Sequence, residues 1–355
     1  MIKKVLGILC TTYLLVACSS NQTEEQYTPI PYSLEIPTLF QEKLIPPILP
    51  SNNPLTVEGV ALGKRLFFDK ILSGDNTQSC ASCHAPPSSF TDPRRFSVGI
   101  DGLAGPRNSM PLFNLAWNFD ERFFWDGRAR SLEIQALEPI TNPIEMHSDW
   151  KQVAIKLQAH PTYPGLFEQV FGKQTIDSLL VTKAIAQFER TLISGNSKFD
   201  KFLRNEVSLT AQELNGFNVF MDETKGDCFH CHGSNNNPLW TDNLFHNNGL
   251  DTQFSDLGLG AITGDPSDNG KFKLPSLRNL AFSAPYMHDG RFQTLEDVIN
   301  HYSEGLKPSS TIDPLMKKVN QGGVRLSPQD KADLKAFLLS LSDPDFISNP
   351  AFQNR

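Results

Sequence analysis

The sequence predicts a mostly α-helical, loop-rich chain built as two similar units in tandem. Three observations carry that expectation. A C-x-x-C-H pentapeptide occurs twice, as CASCH at 80–84 and CFHCH at 228–232. Each copy follows an amphipathic helical pattern with a glycine in its body and an aromatic end, and a second helical pattern closes each unit. Strand-like alternation is scarce, while Gly, Pro and Asn turn signals are frequent.

The N-terminus is set apart from these units. Lys3 and Lys4 precede an apolar run from Val5 to Val16, a secretory signal pattern that is too short and wrongly flanked for a spanning helix. The run ends in LVAC (15–18), which resembles a bacterial lipobox. Cleavage there makes residues 1–17 a signal peptide and leaves Cys18 as a lipidated N-terminus. The expected location is the periplasm, with the lipid as the only membrane contact and the outer membrane preferred over the inner. An ordinary signal peptide with a chance cysteine is the alternative. Residues 18–40, polar and punctuated by proline, read as a tether. The formal net charge of −7 becomes −9 once Lys3 and Lys4 are removed, with 30 basic against 39 acidic residues. That argues against nucleic acid or an anionic membrane surface as a partner and is compatible with a basic electron donor.

The first unit (41–204) opens with LTVEGVALGKRLFF, from Leu55, and closes with SLLVTKAIAQFERTLIS. The second (205–355) opens with LTAQELNGFNVF, from Leu209, where Thr210 and Glu213 form a capping-box pattern. It closes with LSPQDKADLKAFLLSLSD, with Ser327 as N-cap and Pro328 at the first helical position. The units join near SGNSKFDKFLRNE.

The repeated pentapeptide carries the chemistry. C-x-x-C-H is the pattern of covalent haem c attachment. Cys80 and Cys83, and again Cys228 and Cys231, would bond the haem vinyl groups, and His84 and His232 would ligate the two irons. Zinc and thioredoxin-type redox chemistry compete for such cysteines. Zinc needs four ligands, yet the two pairs are far apart in sequence and each carries a His directly after its second Cys. His230 occupies a variable position between the cysteines and is not expected to ligate. Of the six cysteines, only Cys10 and Cys18 lie outside the motifs, both in the N-terminal segment. No pair remains for a disulfide. An opening helix, the motif and a closing helix packed upon it make a cytochrome c-like unit, so the expectation is two such helical domains, each wrapped with long loops around one haem.

Longer stretches resemble one family. GPRNSMPLFN (105–114), FFWDGRARSLEIQALEPITNPIEM (123–146) and LPSLRNLAFSAPYMHDGRFQTLEDVINHY (274–302) are similar to the bacterial dihaem cytochrome c peroxidase and MauG-type family. The resemblance runs from about Leu55 to Leu341. It implies that the first haem is the peroxide site, with Glu145 as its acid–base group, Gln135 lining the pocket and Trp125 passing electrons between the haems. A carboxylate beside an open haem face can carry a proton between the two oxygens of peroxide; Gln135 can orient but cannot titrate. The resemblance also implies a calcium ion between the haems, held by Asn108, Ser283 and Pro285 with waters. Arg278 is expected to meet a haem propionate bidentately.

One departure from the peroxidases stands out. They carry a capping His after the first motif, where this chain reads SVGIDG with Ile100 in its place. Isoleucine cannot ligate iron, so the first haem is expected to be open without activation; His147 and Met110 are the less favoured caps. The resemblance places the distal ligand of the second haem at Tyr302, with Met287 and His301 as alternatives. A thioether ligand would raise the potential of that haem, whereas a phenolate would favour its oxidised states. The expected activity is reduction of hydrogen peroxide at the first haem, with electrons from a cytochrome c or cupredoxin relayed through the second. Two alternatives remain: a MauG-type oxidase that uses peroxide to modify an aromatic residue of a partner protein, and a non-catalytic dihaem electron carrier.

Overall fold

A computed structural model describes residues 28–354. The expected signal peptide and Cys18 lie outside the described residues. Among the described residues, no helix is long and apolar enough to cross a membrane. The fold is mostly helical, and the only sheet among the described residues pairs Phe245–His246 with Phe272–Lys273 in antiparallel fashion.

Two helix pairs organise the chain, and they repeat each other turn for turn. In the first, Val57–Phe68 packs on Ser178–Thr191. In the second, Ala211–Met221 packs on Pro328–Ser340. A Cβ added at Gly63 would lie 1.9 Å from the Ala184 carbonyl oxygen, and one added at Gly216 would lie 1.9 Å from that of Asp333. Each glycine therefore sits where the two backbones come too close for any side chain. Four residues further along each helix, an aromatic pair completes the crossing: Phe67 on Phe188, with centroids 5.4 Å apart, and Phe220 on Phe337, at 5.2 Å. A helix brings residues four apart onto one face, so glycine and phenylalanine together form one docking stripe.

The caps agree with the sequence. Thr56 accepts from the Gly59 N–H, Thr210 and Glu213 form their capping box, and Ser327 caps a helix whose first residue is Pro328. Asp330 closes a second box with Ser327. Such caps satisfy amides that the first turn leaves without partners.

The expected boundaries need two corrections. The stretch assigned to a tether is part of the fold from Pro31 onward. Pro31 bridges Thr56, and Leu39 and Phe40 of the helix Thr38–Lys43 are buried against Trp117. The apolar pair outweighs the polar, proline-rich look of the segment. The division at 204 also cuts across packing. Phe199 lies in the core built around Phe220 and Phe337, while Phe346, near the C-terminus, returns to pack on Phe90 and Phe113. The two halves clasp each other at both ends.

Candidate active site

A cavity of about 910 Å³ opens between the halves, near the top of the roughly 300–1,000 Å³ range common for cofactor and small-molecule sites. Cys80, Cys83 and His84 line it, as do Gln135, Glu145, Trp125 and Asn108. Six residues expected at the first haem site, together with one from the calcium set, thus converge on one space.

His84 Nδ1 lies 2.9 Å from the Phe90 carbonyl oxygen. That contact makes Nδ1 the donor and leaves Nε2 with its lone pair free, the form a metal-ligating imidazole needs. The second motif repeats the arrangement, with His232 Nδ1 3.4 Å from the Trp240 carbonyl oxygen. Both accepting residues sit in the left-handed region, Phe90 at φ 59° and Trp240 at φ 55°. Bulky residues rarely adopt that conformation, and here it occurs at matching places. Burial lowers the proton affinity of both imidazoles, that of His232 to about 4. Both rings lie deep in the fold yet keep part of their surface open, as a ring facing internal space does.

Glu145 is held from several sides. Its Oε1 accepts from Asn142 Nδ2 at 2.7 Å, its N–H donates to the Asn142 carbonyl, and its own carbonyl accepts from the Ile100 N–H. Burial raises the pKa of the carboxyl, while Asn142 and then Arg128 pull it back down. The result is a fixed carboxyl that binds a proton more readily than an exposed glutamate. Ile100 does not line the cavity. His147 does not either; it is exposed and paired with Asp101. Met110 does line the cavity.

Trp125 is 7% exposed and is fastened to both halves. Its indole N–H donates to the Asn108 carbonyl at 2.7 Å, and its carbonyl accepts from the Lys273 N–H at 2.9 Å. The His288 ring meets it edge to face at 6.5 Å. Asn108 donates through Nδ2 to the Arg94 and Arg95 carbonyls, and its N–H reaches the His288 carbonyl.

At the second motif, Tyr302 lies deep in the fold on a π-helical turn, His301–Gly305, that follows the capped helix Leu295–Asn300. Such turns are rare and concentrate at functional sites. The phenol oxygen accepts from Asn248 Nδ2 at 3.1 Å, and the same amide lies 3.5 Å from Met287 Sδ. Burial raises the Tyr302 pKa to about 12, and the Cys228 and Cys231 thiols add to the effect. Tyr302 and Met287, the two foremost candidates for the distal position, thus share one neighbour. His301 is engaged elsewhere, its Nε2 3.1 Å from the Asn248 carbonyl oxygen.

Arg278 departs from its expected role. It is 1% exposed and does not line the cavity. Its guanidinium forks onto Asp200 with two contacts of 2.7 Å, and Nε donates to the Pro238 carbonyl. Burial alone would push the Asp200 pKa up, but Arg278 and Ser197 bring it below the usual carboxylate range. The bidentate geometry expected for a propionate is used on a protein carboxylate 78 residues away in sequence.

Several residues of the site carried no sequence signal. Glu189 lines the cavity with a buried Oε2 that has no hydrogen-bond partner among the described residues, and burial lifts its pKa to about 8. Trp240 Nε1 is likewise buried without a hydrogen-bond partner among the described residues. Asn248 and Lys273 complete the set. Among the described residues no disulfide joins the cysteines, and no cluster of three or more His, Cys, Asp or Glu side chains is placed to hold a metal ion. The two cysteine pairs do not converge on a zinc site.

The residues present fit two haem groups. Paired free thiols stand beside each imidazole, each imidazole is oriented by a carbonyl, and the unpartnered buried carboxylate of Glu189 lines the cavity with His84. Comparison with known proteins agrees. The family model described as di-haem cytochrome c peroxidase matches residues 57–208. The methylamine utilization protein MauG of Methylorubrum extorquens is 41% identical over 309 residues, covering 85% of this chain and 83% of that protein. The cytochrome c peroxidase Ccp of Escherichia coli is 37% identical over 303 residues, covering 83% of this chain and 60% of that protein. The crystal structure of a MauG-like protein associated with microbial copper homeostasis superposes with a TM-score of 0.81 at 35% identity, covering 91% of this chain and 99% of that one. The chain belongs to the dihaem cytochrome c peroxidase family, which includes the MauG proteins.

Proposed function

We infer that the protein is an oxidoreductase that reduces hydrogen peroxide, with electrons relayed between two haems. The observation that carries this reading is Glu145, fixed by Asn142 at 2.7 Å and lining the same cavity as Cys80, Cys83 and His84. Bound there, a haem would supply the redox iron. His84, oriented by Phe90, would hold the iron from one side, and Glu145 and Gln135 would act from the cavity. Glu145 would take a proton from one peroxide oxygen and return it to the other, a task suited to a carboxyl whose proton affinity is raised by burial. Gln135 would orient the peroxide. Trp125, fastened to both halves, would serve as the stepping stone for electrons from the second haem.

The finer assignments rest on the motifs. Cys80 and Cys83 would hold the first haem covalently, and Cys228 and Cys231 the second, with His232 and Tyr302 as the residues that would hold the second iron. Each haem would belong to one helix-pair unit. A calcium ion held by Asn108 Oδ1 and the Ser283 and Pro285 carbonyls is supported by two facts: Asn108 spends its Nδ2 on backbone carbonyls, and among the described residues neither of the two carbonyls accepts a backbone hydrogen bond. Export to the periplasm and lipidation at Cys18 remain part of this reading on the strength of the N-terminal pattern. The electron donor would be a small redox protein such as a cytochrome c or a cupredoxin.

A second reading has its own support. The Tyr302 phenol accepts from Asn248 Nδ2 at 3.1 Å, closer than the 3.5 Å from the same amide to Met287 Sδ, and Ile100 stands where a capping His would be. A phenolate ligand and an open first site suit a MauG-type oxidase acting on an aromatic residue of a partner protein. Peroxide turnover with reduced cytochrome c, set beside the lifetime of the oxidised protein after one equivalent of peroxide, tests the two. Fast turnover and a short-lived oxidised species support the peroxidase; slow turnover and a long-lived species support the oxidase. Two six-coordinate low-spin haems that ignore peroxide would refute both and leave an electron carrier.

A further inference from the structure

Lys273 is a buried cation that, among the described residues, has no carboxylate within ion-pair distance. It is 6% exposed and lines the central cavity. Its ammonium donates to Asn118 Oδ1 at 3.0 Å and to the Asn243 carbonyl at 2.6 Å, and stands 5.3 Å from the centre of the Phe245 ring. An ammonium has three N–H donors, so one remains. The other basic side chains of the cavity are Arg95, Arg107, Arg128 and Arg291, and each has a carboxylate within 4 Å. Among the described residues Lys273 has none. Buried lysines are rare unless they are paired, and a positive charge facing internal space calls for an anion to enter that space.

We propose that Lys273 binds a haem propionate where the two halves meet, the role that sequence patterns assign to Arg278. The chemistry fits at both ends. A haem brings two carboxylates, and Lys273 offers one charged donor beyond the two that the protein satisfies. Its backbone N–H also holds the Trp125 carbonyl at 2.9 Å, so one residue would tie the propionate edge to the proposed electron path. Burial lowers the Lys273 pKa to about 8, with Asp120 and Asp242 opposing the shift and Arg122 adding to it. A propionate at contact would raise it again and hold the charge in place.

The proposal rests on the two-haem reading, and the experiment separates the two. A pyridine haemochromagen count on the purified holoprotein comes first; fewer than two haems per chain would sink the cofactor reading itself. With two haems present, the midpoint potentials of wild type, Lys273→Met and Lys273→Arg are read by spectroelectrochemistry. Removing a positive charge beside a propionate stabilises ferric iron. In Lys273→Met the ferrous-to-ferric ratio of one haem, at the wild-type midpoint, should fall by roughly tenfold, about 59 mV for one electron. Lys273→Arg should stay within about twofold. Haem loss in the Met variant alone also supports the pairing. Unchanged potentials in Lys273→Met would overturn it. A crystal structure of the wild-type holoprotein decides the matter even if neither variant folds: a propionate oxygen about 3 Å from Nζ is expected, and every propionate oxygen beyond about 4 Å would end the proposal.

Discussion

Glu145→Gln removes a proton carrier and leaves its anchor in place. The Asn142 amide donates to Oε1 at 2.7 Å, and glutamine keeps an Oε1 to receive it. Only the second oxygen changes, to an amide that can neither take nor release a proton. The side chain should therefore stay where it is. A positioned general acid–base group contributes about 10²–10⁴ in rate, which is about 2.7–5.4 kcal/mol at 1.36 kcal/mol per decade. Stopped-flow mixing with hydrogen peroxide, with haem content measured on the same samples, should show kcat/KM reduced by that factor. The pH profile adds a second reading. The carboxylate accepts the first proton, so activity should rise as Glu145 ionises. Burial stabilises the neutral form, which places that rise above the ordinary glutamate value of about 4.3. Asn142→Ala removes the hydrogen bond that favours the ionised form, so the rise should move to still higher pH. It should vanish in Glu145→Gln. A glutamine variant within threefold of wild type, with the same pH profile, would refute the assignment.

The remaining predictions concern the fold and the second site. Gly63→Ala and Gly216→Ala each place a Cβ 1.9 Å from a carbonyl oxygen of the partner helix; overpacking of this kind costs about 1–3 kcal/mol, against a gain in helix propensity of about 1 kcal/mol, so thermal unfolding should show a lower Tm for both, and an unchanged Tm in either would contradict the close crossing. Because Ile100 lies outside the cavity, the oxidised holoprotein should give one high-spin and one low-spin ferric signal in electron paramagnetic resonance without prior reduction; two low-spin signals would mean that another group caps the first haem. Tyr302→Met should make the second haem easier to reduce and quicken electron uptake from small cytochromes, whereas an unaltered spectrum and potential would transfer the ligand role to Met287 or His301.

The features that could be read in the sequence are those set by local spacing. The two C-x-x-C-H motifs, the capped helices at Thr210 and Ser327, and the glycine in each opening helix all lie within a few residues of the partners that define them. Their counterparts in the fold are where periodicity and capping rules put them. Glu145, Gln135 and Trp125 were legible only through resemblance, because nothing in their own neighbourhood says that a chain reversal brings them to His84. The failures have a common physical cause. Arg278 finds Asp200, and Lys273 finds Asn118, across long stretches of chain, and no local pattern announces either. Phe90 and Trp240 take a left-handed backbone that their side chains disfavour, so propensity argues against the very geometry that orients the histidines. Leu39 and Phe40 are a short apolar pair in polar company, and only tertiary packing decides between tether and core.

The repeat also bears on how the two sites can differ in chemistry. Each half offers the same crossing, glycine over carbonyl and phenylalanine over phenylalanine, and each His is held by a carbonyl from a left-handed aromatic residue. The ligand side is therefore nearly the same twice. What differs is the chain that reaches the other side. In the first half, the short helices Leu132–Gln135 and Leu137–Thr141 and the turn after them deliver Gln135 and Glu145 to the cavity. In the second, a π-helical turn delivers Tyr302, with Asn248 against its phenol. An iron bound in the first half would face a titratable carboxyl and a neutral amide, which would leave room for substrate; one bound in the second would face a phenol that could serve as its ligand. Asn248 matters to this difference because a hydrogen bond to the phenol oxygen favours the ionised form, while burial alone would keep the proton on. Division of labour between two equivalent units thus rests on loop content, and Asn248→Leu tests it at one atom. Losing that donor should raise the pH at which the second site takes on its phenolate spectrum and leave the first site's reaction with peroxide unchanged. A shift confined to the first site would show that the two faces are not independent.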